Sequence, residues 1–125
     1  MNPNHTSPLT VRVATLEDAR KLAPMLSFIE NGEITSDQVR ARMELTHSTE
    51  TPFIVEKDGQ PTGFAFLRIV SALSTEEPYA EITEIYVEDI TQRETIGSKI
   101  TEKLEALAFE KGAVYLHLHA AGDLY

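Results

Sequence analysis

The stretch from Tyr79 to Gly112 restricts the fold more than any other part of this chain. Tyr79–Glu88 (Tyr-Ala-Glu-Ile-Thr-Glu-Ile-Tyr-Val-Glu) alternates apolar and polar residues, the period of a half-buried strand. From Gly97 to Lys111 the period becomes helical, with Ile100, Leu104, Leu107 and Ala108 on one face and Gly112 at a C-cap position. A strand that opens a helix through a short loop aims several backbone N–H groups, and the positive end of the helix dipole, at one spot. Such a spot suits anions and phosphates above all. The expected loop is Gln92-Arg93-Glu94-Thr95-Ile96-Gly97, followed by Ser98 and Lys99, and Gly97 allows a close backbone approach. On these residues alone an ordinary strand-to-helix junction is the competing reading, and one glycine does not decide between the two.

The rest of the chain supplies a frame. Leu9–Ala14 alternates as a strand, and Thr15 with Asp18 resembles a capping box ahead of Ala19, Leu22, Ala23, Leu26 and Ile29 at helical spacing. Pro24 is expected to kink or split that helix, and Asn31-Gly32 to end it. Thr35 and Gln38 open a second amphipathic stretch carrying Val39, Met43 and Leu45. Thr51–Lys57 reads as a strand, Asp58-Gly59 as a hairpin turn, and Thr62–Ala72 as the return strand. A last strand alternates Val114, Leu116 and Leu118 with Tyr115, His117 and His119. The order is β-α-α-β-β-β-α-β, without repeat or linker. Residues 1–125 are therefore expected to form a single domain preceded by a flexible polar arm over residues 1–8. The fold class is α/β (α+β in stricter usage), a mixed and mostly antiparallel sheet flanked by helices.

Composition excludes several chemistries. The chain has no cysteine, so disulfides, Cys-ligated metals and thiol nucleophiles are ruled out. Eleven Lys and Arg stand against 20 Asp and Glu, and a net charge of −9 argues against nucleic-acid binding and suits a cationic partner. No apolar run reaches the roughly 20 residues needed to cross a bilayer, and the polar start lacks a signal-peptide pattern. A soluble cytoplasmic protein, away from membranes, is expected.

With its flanking strand and helix, the Gln92–Gly97 segment resembles the acetyl-CoA-binding motif Gln/Arg-x-x-Gly-x-Gly/Ala of the GNAT family of N-acetyltransferases. Gln92, Gly97 and the register from Val87 match, and the element order over about residues 9–119 is similar to that family's. Thr95 replaces the motif's first glycine, and Glu94 stands where a small or basic residue is usual. The resemblance implies acetyl-CoA as acyl donor, no metal, and coenzyme contacts from Gln92, Arg93, Thr95, Ile96, Gly97 and Ser98. It also implies that the pantetheine arm lies beside the Ile85 and Val87 backbone. The Val87 N–H then faces the thioester oxygen, and the fourth and fifth strands splay apart at a bulge. Thr95 and Glu94 both work against the pyrophosphate, so the resemblance implies weakened coenzyme binding.

Acetyl transfer to an amine requires removal of an ammonium proton. Glu81, eleven residues before Gln92, lies in the register of the general base of histone-type members. Glu84 is nearer the thioester but falls on the opposite strand face unless a bulge resets the alternation. Solvent-facing carboxylates on a half-buried strand are the competing reading for both. His117 and His119 share a strand face without a third metal ligand, so a polar strand face or pocket lining is the simpler assignment. Tyr86 and Tyr115 read as packing residues with a wet end, and Phe53, Phe64 and Phe66 as core.

The resemblance implies a primary amine acceptor, small-molecule or peptide and cationic, or else a degenerate module that binds coenzyme A or a protein partner without turnover. The family continues past the fifth strand with a helix and two more strands, and the chain is expected to be shortened at the C-terminus by those elements. Tyr125 is a candidate for the general acid that the family carries on that further helix. An exposed fifth-strand edge is expected to invite a homodimer.

Overall fold

The computed structural model describes residues 8–71, 73–74 and 76–118. The expected arm over residues 1–8 falls outside the described residues except for Pro8; Ala72, His119 and Tyr125 fall outside them as well. Strands β1 (Leu9–Val13), β2 (Thr51–Lys57), β3 (Gln60–Val70), β4 (Tyr79–Val87) and β5 (Leu116–Leu118) form one sheet in the order β1-β2-β3-β4-β5. The first four pair antiparallel, and β5 joins β4 in parallel. Helices α1 (Ala19–Glu30), α2 (Ser36–Thr46) and α3 (Arg93–Glu110) complete the mixed architecture. A 3-10 turn precedes α1 at Leu16–Asp18, and another precedes α3 at Ile90–Gln92.

Alternation along the strands sorts the core into two layers. Phe53, Val55, Ala65, Leu67, Ile82, Ile85 and Val87 meet Ile96, Ile100, Leu104 and Ala108 of α3 on one face. Ile54, Phe64 and Tyr86 meet Leu22, Leu26 and Val39 of α1 and α2 on the other. Phe64 stacks on Phe66 and on Tyr86, so those rings continue the second layer between strands. Leu45, expected on the apolar face of α2, is 83% exposed, and Met43 is the last residue of that face to pack.

Local chemistry sets the element ends. Asp58 (φ 55°) and Gly59 (φ 76°) both adopt the left-handed conformation that a two-residue hairpin between β2 and β3 requires. Thr35 and Gln38 form a reciprocal box at the start of α2, with distances of 2.8 and 3.1 Å. Asn31, not Gly32, takes the left-handed position that ends α1 (φ 54°). Pro24 lies within α1 without splitting it. It sits in the second turn, where its missing N–H removes a single bond and buried Leu22, Ala23, Met25 and Leu26 hold the helix to the sheet.

An ionic cluster fastens α1 to the sheet edge. Arg12 of β1 grips Asp18 with two parallel bonds of 2.8 and 2.9 Å and reaches Glu56 of β2 at 2.9 Å. Lys21 takes the other Glu56 oxygen at 2.8 Å. Asp18 also accepts the Thr15 N–H at 2.7 Å. The Arg12 guanidinium holds the Asp18 carboxyl well below the usual carboxylate range, and Lys21 followed by Arg12 lowers Glu56.

Candidate functional site

The fourth strand changes character at Thr83. Phe66 pairs with Glu84 but Leu67 pairs with Ile82, so Thr83 is an extra residue, a bulge. Ala80 and Ile82 before it, and Ile85 and Val87 after it, all face the α3 layer. Tyr86 belongs to the opposite layer, and the reset alternation sets Glu84 and Glu81 on that same side. The bulge thus brings to one face two carboxylates that strict alternation would separate.

Beyond the bulge, β4 has an edge that no strand covers among the described residues. Strand β5 pairs with β4, among the described residues, only at Ala80, Glu81 and Ile82. Among the described residues, Thr83–Val87 therefore has a strand neighbour on the β3 side alone. The Glu88 N–H donates to the Thr62 carbonyl at 2.8 Å, so alternate N–H groups back along the strand, those of Tyr86 and Glu84, turn toward β3. The N–H and C=O groups of Ile85 and Val87 consequently point to the open edge. Their side chains are fully buried, so these two residues can offer a ligand only backbone. Gly63 of β3 backs this region: a β-carbon there would collide with the Tyr86 carbonyl.

The junction after β4 differs from the sequence expectation. Helix α3 begins at Arg93, four residues before Gly97, so the expected loop is largely helix. Two features start it early. Asp89 accepts the Thr91 N–H at 2.9 Å and its hydroxyl at 2.7 Å, and the Gln92 N–H closes a turn on the Asp89 carbonyl at 3.0 Å. Ile96 also lies one turn before Ile100 and Leu104 and is buried with them, extending the apolar face. Ile96 and Gly97 are therefore inside the helix and buried, whereas Thr95 and Ser98 are exposed. The donors of the first turn are those of Arg93, Glu94 and Thr95.

Charge at this helix start is mixed. The Arg93 Nε donates to the Val87 carbonyl at 3.1 Å, occupying one acceptor of the open edge. Lys57, at the end of β2, reaches the Gln92 side chain at 3.4 Å. Glu88, Asp89 and Glu94 are all exposed around the same point. Gln92 itself is the N-cap residue and makes no side-chain cap bond.

On the α1–α2 side, Glu81 is buried at 7% exposure and its carboxylate accepts from Arg68 Nη2 at 3.3 Å. Glu84 is half-buried. The Thr83 hydroxyl donates to Glu50 at 2.6 Å, so a third carboxylate stands at the bulge. Beside Glu81, the Tyr79 and Tyr115 rings stack nearly parallel at 5.4 Å, and His117 meets both edge-on at 5.3 and 5.0 Å. His117 is exposed, and its expected partner His119 lies outside the described residues; among those described, no group of three or more His, Asp or Glu is arranged to hold a metal.

Sequence reasoning missed Lys57, Glu50 and Arg68. Neither Lys57 nor Arg68 carries a local signal: Lys57 reaches Gln92 in the turn before α3, and Arg68 reaches Glu81 across the β3–β4 register. Glu50 sits at the entry to β2 and carries no local signal at all.

Among the described residues, five strands with β4 open beyond a bulge, beside the start of a helix, make an acyl-CoA N-acyltransferase type of fold. The profile of the acetyltransferase (GNAT) family matches residues 15–125, and the chain belongs to that family. Among solved structures it resembles a ribosomal-protein-alanine N-acetyltransferase from Brucella melitensis, with a TM-score of 0.78, 20% identity, and coverage of 92% of this chain and 82% of the other. A GNAT family acetyltransferase from Staphylococcus aureus gives a TM-score of 0.76 at 10% identity, covering 91% and 87%. Glucosamine-6-phosphate N-acetyltransferase from Arabidopsis thaliana gives 0.71 at 19% identity, covering 92% and 84%. At these identities the likeness is one of fold. No curated protein sequence matches the chain. No helix among the described residues is long and apolar enough to cross a membrane.

Proposed function

We propose that this protein moves an acetyl group from acetyl-CoA to a primary amine by direct attack, without a covalent enzyme intermediate. The observation that carries this reading is the open edge of β4, where the N–H groups of Ile85 and Val87 face away from β3 beside the start of α3. A pantetheine arm would pair with that edge as an added strand, and the Val87 N–H would stabilise the oxyanion that develops on the thioester oxygen. Gln92, Arg93, Thr95 and Ser98 are available at the helix start for phosphate contacts; Ile96 and Gly97 contribute only through packing and backbone. Lys57 and Arg93 supply positive charge there.

The amine must lose a proton before its nitrogen bonds to the acetyl carbon and the carbon–sulfur bond breaks, releasing coenzyme A. Glu84, on the bulge, and Glu81, three residues earlier, are the two candidates to take it. Glu84 stands at the bulge itself, beside the Ile85 and Val87 edge, which favours it as the group nearer the bond change. The proposal includes a cationic acceptor, in keeping with the −9 charge, and dimerisation through the outer edge of β5.

Thiol release with a panel of primary amines tests the activity. Glu84→Gln should lower kcat by about 10²–10³-fold and Glu81→Gln by less. A larger loss for Glu81→Gln would transfer the role of base to that residue.

A second reading, a coenzyme or partner binder without turnover, is favoured by one observation. Glu94 lies in the first turn of α3, and the helix has absorbed the segment that would cradle a pyrophosphate. Binding of acetyl-CoA by calorimetry, combined with no thiol release from any amine, is its signature.

A further inference from the structure

A pocket of about 300 Å³ opens against Glu81, on the side of the sheet that carries α1 and α2. It is lined by Ser48 and Thr49 of the α2–β2 connection, by Arg68, Ile69, Val70 and Ser71 at the end of β3, and by Glu81. Its chemistry is dipolar. The Glu81 carboxylate lies in one wall, and the Arg68 guanidinium in another is 43% exposed and gives Glu81 a single bond of 3.3 Å through one nitrogen. The other guanidinium N–H groups of Arg68 make no hydrogen bond among the described residues. A guanidinium presents donors in a fixed fork that matches a carboxylate or a phosphate. The hydroxyls of Ser48 and Ser71 add donors near that fork, whereas the Thr49 hydroxyl already donates to the Thr46 carbonyl at 3.1 Å.

We infer that this pocket receives the far end of the acceptor, and that the acceptor is an amine which also bears an anionic group. The ammonium would lie toward Glu81 and the bulge, while the carboxylate or phosphate would engage the free side of Arg68. This inference rests on the acetyltransferase reading and narrows it: the reacting end of the acceptor is cationic, and its far end is not. A simple diamine or polyamine would set a second positive charge against Arg68, which costs affinity through like-charge repulsion.

The test compares four acceptors in thiol release: an alkylamine, an aliphatic diamine, an amino acid and an aminoalkyl phosphate. The expected result is a kcat/KM at least about tenfold higher for an anion-bearing amine than for the diamine. The amino-acid and phosphate arms distinguish the two anions. Arg68→Gln should reduce the ratio of anion-bearing amine to alkylamine by about tenfold, mainly through KM, whatever happens to the rate common to both. Arg68→Lys keeps the charge beside Glu81 but loses the fork, and should fall between. A diamine preferred by the wild type, or a ratio unchanged in Arg68→Gln, would overturn the inference.

Failure of the parent reading looks different. If no amine is acetylated, binding of the anion-bearing amines, followed by calorimetry without coenzyme, still reports on the pocket. Binding lost in Arg68→Gln supports the site, and no binding to the wild type removes it.

Discussion

The protein contains two junctions built to one plan, and they differ in how their polar groups are used. In each, a strand passes through a 3-10 turn into a helix: β1 into α1 and β4 into α3. At the first junction the buried charges, Asp18 and Glu56, are answered. Asp18 receives the Thr15 N–H and both arms of Arg12, and Glu56 is shared by Arg12 and Lys21. At the second, Gln92 makes no cap bond, Glu94 adds a negative charge to the first turn, and β4 keeps an edge that no strand covers among the described residues. The first junction stabilises the fold. The second leaves donors available to a ligand.

Breaking the first junction should have the largest effect on stability. Asp18→Ala strands Arg12 and removes the acceptor at the helix start, and should cost about 2–3 kcal/mol in chemical denaturation. The partial exposure of Arg12 keeps that figure below the value for a fully buried pair. The same cluster gives a pH dependence. Asp18 and Glu56 are held below their ordinary carboxylate values in the folded state, so their contribution is complete above the unfolded range near pH 4 and is lost as pH falls through the folded values. Melting temperature should therefore drop below about pH 4, and less steeply in Asp18→Asn.

The second junction should respond in binding rather than in stability. Glu94→Lys reverses the charge in the first turn of α3 and should tighten acetyl-CoA binding about tenfold by calorimetry, with little change in melting temperature. An unchanged affinity would mean that the coenzyme phosphates lie elsewhere. The smallest effect is expected from Asp89→Ala, which removes the side-chain bonds to Thr91 at an exposed position. Its melting temperature should move by less than half of the Asp18→Ala shift. An equal shift would show that the two junctions are equally important to the fold.

Much of this architecture is legible in the sequence, and the reasons are local. Period-2 runs, the Asp58-Gly59 pair and the Thr35–Gln38 box each specify their element without help from the rest of the chain. The start of α3 lies earlier than Gly97 suggests, because Ile96, in register with Ile100, and Asp89 as a turn former outweigh one loop-like glycine. Leu45 illustrates the converse, a residue in apolar register on a helix whose buried face ends a residue or two earlier. The functional surroundings were harder. The Arg68–Glu81 pair and the Thr83–Glu50 bond join residues 13 and 33 positions apart, and only strand register brings them together.

The bulge at Thr83 has a consequence for how such a chain can vary. An inserted residue usually exchanges the two faces of everything downstream in a strand, exposing its core and burying its polar side. Here the extra residue is absorbed where it stands, so Ile85 and Val87 keep their layer and Tyr86 keeps the other. An insertion of this kind is neutral to the core, and Thr83 and Glu84 become successive polar residues on one face. The interior can therefore stay fixed while the residues around that point are exchanged.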